Sequence, residues 1–286
     1  MKLKSTLQAA LVSAAGLAIP AFGQITISDF STASGLQLNG NAAIVGSVAR
    51  ITPAAFDQAG SLFSTSTVTL GSAFSFSSFF TFRITGSGGI GDGDGAGADG
   101  LVFVVQTNAN NVGGSGGGMG YQGIPNSVGV EFDTYDNGSG AGDPNGNHVN
   151  VDFGGAFSST ATAVPVSNRM NNGNVWSAWV DYNGATTTLE VRLAESSTVR
   201  PVSPFASVTQ DLSTILGSTN AFVGFTSGTG SGYGNHDILS WEFRNTFSPI
   251  ITPPGAGAVP EPSTYGLFAG ALLLGVVAWN RRRKNS

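Results

Sequence analysis

The segment Phe74-Ser75-Phe76-Ser77-Ser78-Phe79-Phe80-Thr81-Phe82-Arg83-Ile84 puts Phe74, Phe76, Ser78, Phe80, Phe82 and Ile84 on one side at a period of two. Ser75, Ser77, Thr81 and Arg83 fall mostly on the other. Side chains alternate across an extended chain, so the pattern predicts a strand with one face in an apolar core. Residues 101–105, 128–132, 175–182, 187–193, 221–225 and 238–243 are further strand candidates, and the turns between them are rich in Gly, Asn and Ser. Only residues 211–216 read as a helical turn, with an Asp or Ser cap. Many strands without a long amphipathic helix predict an all-β sandwich or barrel.

The two ends of the 286-residue chain are read separately. Residues 1–23 carry Lys2 and Lys4, an apolar run over 7–21 and small residues at the end, the pattern of a removable secretory signal. Residues 249–264 form a linker ending in Val259-Pro260-Glu261-Pro262-Ser263-Thr264. The uncharged stretch 265–279 follows, then Arg281, Arg282, Arg283 and Lys284. As a helix its 15 residues span about 22 Å, which barely crosses a hydrocarbon core of about 30 Å. Tyr265 and Trp279 suit the interfaces, and the basic cluster suits the cytoplasmic side. This short C-terminal transmembrane helix and its flanks, 265–286, resemble the PEP-CTERM sorting signal. That resemblance implies export from a Gram-negative bacterium through an inner-membrane intermediate, removal of the helix by an exosortase-type enzyme, and delivery to the outer surface or matrix.

Between the ends, residues 24–258 keep six Arg, no Lys and 16 acidic residues, a formal charge of −10. Such a surface repels phosphate backbones, which excludes nucleic acid as a natural partner. The chain has no cysteine, so stability has to come from core, sheet hydrogen bonds or metal.

The chemistry concentrates in Glu131-Phe132-Asp133-Thr134-Tyr135-Asp136-Asn137, Asp143-Pro144 and His148. On a strand, Glu131 and Asp133 share one face while Val128, Val130 and Phe132 face the core. Neighbouring carboxylates titrate abnormally unless a cation sits between them. A turn containing Gly138, Gly140 and Gly142 can return Asn137 and Asp143 to the same spot. Asp133, Asn137, Asp143 and a main-chain carbonyl such as that of Tyr135 form an all-oxygen set suited to calcium. Glu131, Asp133, Asp143 and His148 mix carboxylates with an imidazole, which suits a transition ion such as manganese. Asp92-Gly93-Asp94-Gly95 hints at another calcium loop but lacks further carboxylates and reads as a solvated loop. A phosphate-binding reading of the glycine-rich stretches 86–97 and 113–123 fails, because no Lys follows either.

This segment resembles the metal loop of the legume-type (L-type) lectins, where Glu, Asp, an aromatic, Asn, Asp-Pro and His occur in this order. The interval from Asn137 to Asp143 is one residue longer than in many plant members. Ala98-Asp99-Gly100 resembles the element whose Asp accepts from sugar hydroxyls, and residues 116–120 resemble the loop whose backbone, here at Gly117 and Gly118, donates to the sugar. Asn137 would touch both calcium and sugar. His236-Asp237-Ile238-Leu239-Ser240-Trp241-Glu242-Phe243 matches the last long strand, and residues 228–235, with Gly230 and Ser231, correspond to the variable specificity loop. The resemblance covers residues 24–248. It implies a concanavalin-like antiparallel β-sandwich (jelly roll), calcium- and manganese-dependent binding of a glycan or polysaccharide, a cis peptide at Ala98–Asp99, a homodimer through sheet edges or faces, and a role in exopolysaccharide or biofilm matrix. Tyr135 and Tyr121 are the candidates for an aromatic platform. His236, beside Asp237 and far from the metal loop in sequence, reads as structural.

Two other readings stay open at this point. Laminarinase-like hydrolases use Glu-x-Asp-x-x-Glu on the same kind of sandwich, but position 136 is Asp and Asn137, Asp143 and His148 would be idle. A structural matrix protein could keep fold and metal without binding sugar.

Overall fold

The structure is a computed structural model that describes residues 23–114, 116–157 and 163–251. The expected signal segment, linker and C-terminal helix lie outside these residues. Among the described residues no helix is long and apolar enough to cross a membrane.

Two eight-stranded antiparallel sheets pack face to face. One runs in the order Ala206–Thr209, Thr188–Glu195, Trp176–Asn183, Phe76–Gly89, Gly232–Arg244, Val48–Thr52 and Ala43–Val45, with Gln24–Ile27 also pairing on Gly232–Arg244. The other runs Val164–Pro165, His148–Phe153, Ser127–Asp133, Gly100–Gln106, Asn220–Gly228, Ala59–Ser64 and Leu36–Gly40, with Val68–Thr69 joined to Asn220–Gly228. Each expected strand is present, and the last one begins earlier, at Gly232. Leu36–Gly40, Val48–Thr52 and Ala59–Ser64 are additional strands rich in small or polar residues.

The aromatic alternation makes the core. Phe80 meets Phe132 edge-on at 5.6 Å and Phe225 at 4.9 Å, which ties the Phe76–Gly89 strand to the opposite sheet. Burying each such ring contributes about 1.5–3 kcal/mol before chain entropy is charged. Phe79 points the other way, onto Trp179 at 5.1 Å, as its odd position in the pattern requires. The strand reading fails at Phe74, which ends a 3-10 turn, Ser72–Phe74, with a φ of 64°. The strand continues through Thr85 to Gly89, into a stretch expected to be a loop. The helical turn is Leu212–Leu216, capped by Asp211, whose carboxylate accepts from Ser213 N at 2.9 Å.

Phe132, Val130 and Val128 face this core, so Glu131 and Asp133 are turned to the opposite side of their sheet. That side is roofed by the glycine-rich loop. Met119, Tyr121 and Ile124 bury against Val102, Val104 and Phe63.

Candidate functional site

The site begins with register. Asp133 stands opposite His148, and Glu131 opposite Asn150, across the Ser127–Asp133 and His148–Phe153 strands. Gly100 stands opposite Asp133 on one side and Gly228 on the other. Three strand ends therefore converge where Asp99 precedes Gly100.

Glu131, Asp133 and His148 each offer a ligand atom, and these lie within 4.8 Å of one another. His148 Nε2 is 3.3 Å from Glu131 Oε1 and 3.7 Å from Asp143 Oδ1. The other ring nitrogen, Nδ1, is 2.9 Å from the Asn145 carbonyl, which can only accept. Nδ1 therefore carries the proton, and Nε2 is aimed at carboxylates without a hydrogen-bond partner. An imidazole held this way by a carbonyl behind it is the arrangement of a metal-ligating histidine.

The loop from Thr134 to Asn147 closes on itself. Asp133 Oδ1 accepts from Tyr135 N at 2.7 Å, and Asp143 Oδ2 accepts from Asn137 N at 2.6 Å. The turn thus returns Asp143 to Asn137, as its glycines predict. Asn147 fastens the far end, donating to the Val166 and Asn168 carbonyls and accepting from Met170 N.

The electrostatics call for positive charge. Burial, then Glu131 and Asp143, push the Asp133 carboxyl well above the ordinary range. Burial, partly offset by a hydrogen bond from Asn137, raises Asp143. Burial opposes a charged His148, yet Glu131 and Asp143 outweigh it and raise its pKa. A divalent cation between these groups removes the conflict. The donor set fits: Glu131, Asp133, Asp143 and His148 for a transition ion, and Asp133, Asn137, Asp143 and the Tyr135 carbonyl for calcium.

Asp99 follows a cis peptide bond, Ala98–Asp99, as expected. Its backbone bridges two neighbours: Asp99 N donates to Gly228 O at 3.3 Å, and Thr134 N donates to Asp99 O at 2.9 Å. Its side chain is buried, Oδ2 has no partner, and burial lifts its pKa to about 7. An acceptor held this way, without a protein donor, is fitted to a ligand that brings one.

The glycine loop is drawn to the same place. Gly116 N donates to Thr229 O at 3.2 Å, and a Cβ at Gly117 would stand 2.9 Å from Asn137 Nδ2. Gly117, Gly118, Gln122, Asn137, Gly140, Ala141 and Phe157 enclose an open groove of about 460 Å³. A Cβ at Gly230 would stand 3.9 Å from Gly116 Cα and one at Gly232 would stand 2.7 Å from Ala98 Cβ, and Ser231 is exposed, so the expected specificity loop flanks Asp99.

Several expectations change. Tyr121 is no platform: it is wholly buried, donating to Asp152 O and accepting from Ser127 Oγ and Gly155 N. Tyr135 is half-buried. Asp92 is not simply solvated. Gly91–Asp92 pairs with Gly95–Ala96, and the Asp92 carboxylate accepts from Asp136 N at 2.7 Å and Asp94 N at 2.9 Å, holding the 134–147 loop from outside. Asp136 lies beyond the end of the strand that carries Glu131 and Asp133, so the hydrolase triad of carboxylates does not form. His236 is buried with Nδ1 2.7 Å from Thr52 Oγ1, and burial lowers its pKa to about 3. Asp152 was missed. It is buried on the same face as His148, and burial, then Glu131, raise its pKa to about 9. The period-two run His148, Asn150, Asp152 was its signal.

Comparison with known proteins agrees with this geometry. The family profile described as the legume lectin domain matches residues 23–253, and the PEP-CTERM protein-sorting motif matches residues 258–283. An L-type lectin-domain containing receptor kinase, VIII.1, of Arabidopsis thaliana is 33% identical over 192 residues, covering 65% of this chain. The chain spans only 26% of that relative's length. A seed lectin of Styphnolobium japonicum is 35% identical over 158 residues, covering 52% of this chain and 51% of the lectin. Among solved structures, the basic winged bean lectin with Tn-antigen superposes with a TM-score of 0.64 at 26% identity, covering 77% of this chain and 96% of the lectin.

Proposed function

The chain belongs to the legume lectin domain family, and from that premise we propose that it is an exported, non-catalytic lectin whose grip on a glycan depends on bound calcium and a transition ion. The observation that carries this reading is the Asp99 carboxylate, buried and partnerless at Oδ2, fixed between the metal loop and the Gly228 strand end. Sugar hydroxyls are donors as well as acceptors. Asp99 would accept from two of them, Asn137 Nδ2 would donate to one, and Gly117 or Gly118 would let its backbone approach because no Cβ intervenes. Tyr135 would lie under the ring's apolar face, with Gly230 and Ser231 at its rim.

Bound divalent ions would supply the positive charge that Glu131, Asp133 and Asp143 lack. His148 would complete the transition-ion set, and the Tyr135 carbonyl and Asn137 the calcium set. The loop would then present Asn137 in one orientation. Contacts of this kind to a charged partner contribute about 1.5–3 kcal/mol each, so affinity for a single sugar is modest and repeated epitopes on a polysaccharide favour capture.

The winged bean lectin in the comparison was solved with Tn-antigen, which supports a saccharide as the ligand class here. The matched sorting motif supports export with exosortase processing. On this reading 1–23 is a signal peptide, 24–248 the lectin sandwich, 249–264 a linker and 265–286 the helix and basic tail. The destination is the outer surface or a matrix of exopolysaccharide.

The test is a glycan array probed with cation-free protein and with protein loaded with Ca2+ and Mn2+. Binding appears only with the ions, and Asp99→Asn removes it. Absence of binding to every glycan in excess ions would leave a scaffold and overturn the lectin reading.

A further inference from the structure

We propose that Thr52, Ser227 and His236 form a buried hydrogen-bond chain that positions Asp99 from within the core, so that sugar affinity depends on side chains that touch neither sugar nor metal. The proposal rests on the sugar-binding reading above and deepens it.

The soft link beside Asp99 is Gly100. It adopts a φ of 133°, which residues with a side chain rarely take, and a Cβ there would fall 2.3 Å from Phe132 O. Glycine is therefore required, and glycine is also the residue whose backbone turns most freely. Asp99 is tied through its N–H to Gly228 O and through its carbonyl to Thr134 N. The carbonyl of Gly100 receives a side-chain donor, Ser227 Oγ, at 2.7 Å. Ser227 and Gly228 thus grip the Asp99–Gly100 pair from one neighbouring strand, the first by its hydroxyl and the second by its carbonyl.

Ser227 is itself held. Thr52 Oγ1 lies 3.0 Å from Ser227 Oγ and 2.7 Å from His236 Nδ1, and all three residues are wholly buried. Thr52 and His236 stand opposite each other in one sheet and Ser227 lies in the other, so the chain bridges the sandwich. One carbonyl sets every proton in it. Gly100 O can only accept, so the Ser227 proton is committed to it. Thr52 must then donate to Ser227, and His236 Nδ1 must donate to Thr52. His236 is thereby the Nδ1–H tautomer, with a bare Nε2 that has no partner.

Packing alone does not call for these residues. Thr52→Val and Ser227→Ala would keep nearly the same shape and remove two buried hydroxyls that have to be satisfied. The ends of the chain are also informative. His236 lies on the strand Gly232–Arg244, which the expected specificity loop, 228–235, leads into, and the other end is the carbonyl next to Asp99. The loop and the carboxylate that it flanks therefore share one support.

The experiment uses protein loaded with Ca2+ and Mn2+. A printed array of neutral mono- and disaccharides selects the tightest monosaccharide, and its methyl glycoside is titrated calorimetrically. Ser227→Ala and Thr52→Val are each expected to weaken it about fivefold, whereas Thr52→Ser, which keeps the hydroxyl, stays within about twofold. Calcium affinity stays within about twofold in all three. Nitrogen-15 spectra of the wild type show His236 protonated at Nδ1 and bare at Nε2, a readout that needs no variant to fold. A proton on Nε2, glycoside affinity unmoved by Ser227→Ala or by Thr52→Val, a Thr52→Ser loss equal to that of Thr52→Val, or a matching loss of calcium affinity overturns the chain and leaves the lectin reading. Binding to no glycan of the array, or binding untouched by Asp99→Asn, overturns the lectin reading and the chain together.

Discussion

His148 and His236 are both completely buried, both lie on strands, and they behave in opposite ways. His236 sits between the sheets, where Thr52 Oγ1 is its hydrogen-bonding neighbour at 2.7 Å, and Thr52 in turn meets Ser227, which donates to Gly100 O. Nothing there compensates a charge, so the ring stays neutral. The nearest carboxylate in sequence, Asp237, is paired across the strands with Arg50, with Arg83 Nη2 3.9 Å off. His148 has Glu131 and Asp143 at its Nε2 and a carbonyl behind its Nδ1. Burial alone therefore says nothing about role. A histidine becomes a ligand when the same low dielectric that penalises it also concentrates opposite charge around one nitrogen.

The sharpest way to break this contrast is to take out the carboxylate common to both proposed ion sets. Asp133→Ala should weaken calcium binding by more than about 100-fold, roughly 3 kcal/mol, in calorimetric titration of cation-free protein. Thr52→Val, beside His236, should leave that affinity within about twofold. If Asp133→Ala binds calcium as wild type does, the acid cluster is not a cation site and the two histidines differ only in titration.

A smaller effect appears in stability against pH. In cation-free protein, Asp99 and Asp152, with folded pKa values of about 7 and about 9, and the raised Asp133 and His148, all bind protons more tightly folded than unfolded. Their contribution is present at low pH and lost as pH rises through the folded values. The unfolding free energy from urea titration should fall between pH 6.5 and pH 8.5, by up to about 1.4 kcal/mol per unit for each group titrating. Loading with Ca2+ and Mn2+ should flatten that limb. His236 acts in the opposite direction. Its folded pKa of about 3 lies below the unfolded value of 6.5, so it destabilises the protein as pH falls below that value. Wild type should lose up to about 1.4 kcal/mol per unit against His236→Gln between pH 6.5 and pH 4.5. A cation-free limb that rises toward pH 8.5 would mean the acids are already satisfied by protein groups.

Much of the site was legible because it is local. Glu131, Asp133, Asn137, Asp143 and His148 sit in one hairpin, and alternation alone decides which face the first two occupy. The flat core is legible for the same reason, since Phe76, Phe80 and Phe82 obey a period of two. Asp92 was not legible as a support. It reaches the 134–147 loop across 44 positions, and only the fold shows that its carboxylate, not water, accepts from Asp136 N. Tyr121, one of the two aromatic platform candidates in the sequence, is wholly buried in the fold. The Gly154-Gly155 turn packs on the glycine-rich loop, with Gly123 N donating to Gly155 O at 2.8 Å, a contact no local pattern encodes. Strands such as Leu36–Gly40 and Ala59–Ser64 mix apolar with small and polar residues, and pairing with neighbours rather than propensity makes them strands.

The finest test of the contrast is Asp152. Buried on the His148 face, with Glu131 helping burial to raise its pKa, it is a carboxyl whose contact with another carboxylate only a proton or a cation satisfies. If the cations are held by Glu131, Asp133, Asp143 and His148, Asp152 stays protonated behind them and donates to Glu131, which orients that ligand. Asp152→Asn keeps a donor of the same shape, so Mn2+ affinity should change by less than about fivefold. Asp152→Ala removes it, and affinity should fall about tenfold. Loss of more than about 100-fold in Asp152→Asn would instead make Asp152 a direct ligand. The metal face would then extend one residue pair further along the strand than His148, and the charge balance around Glu131 would have to be drawn again.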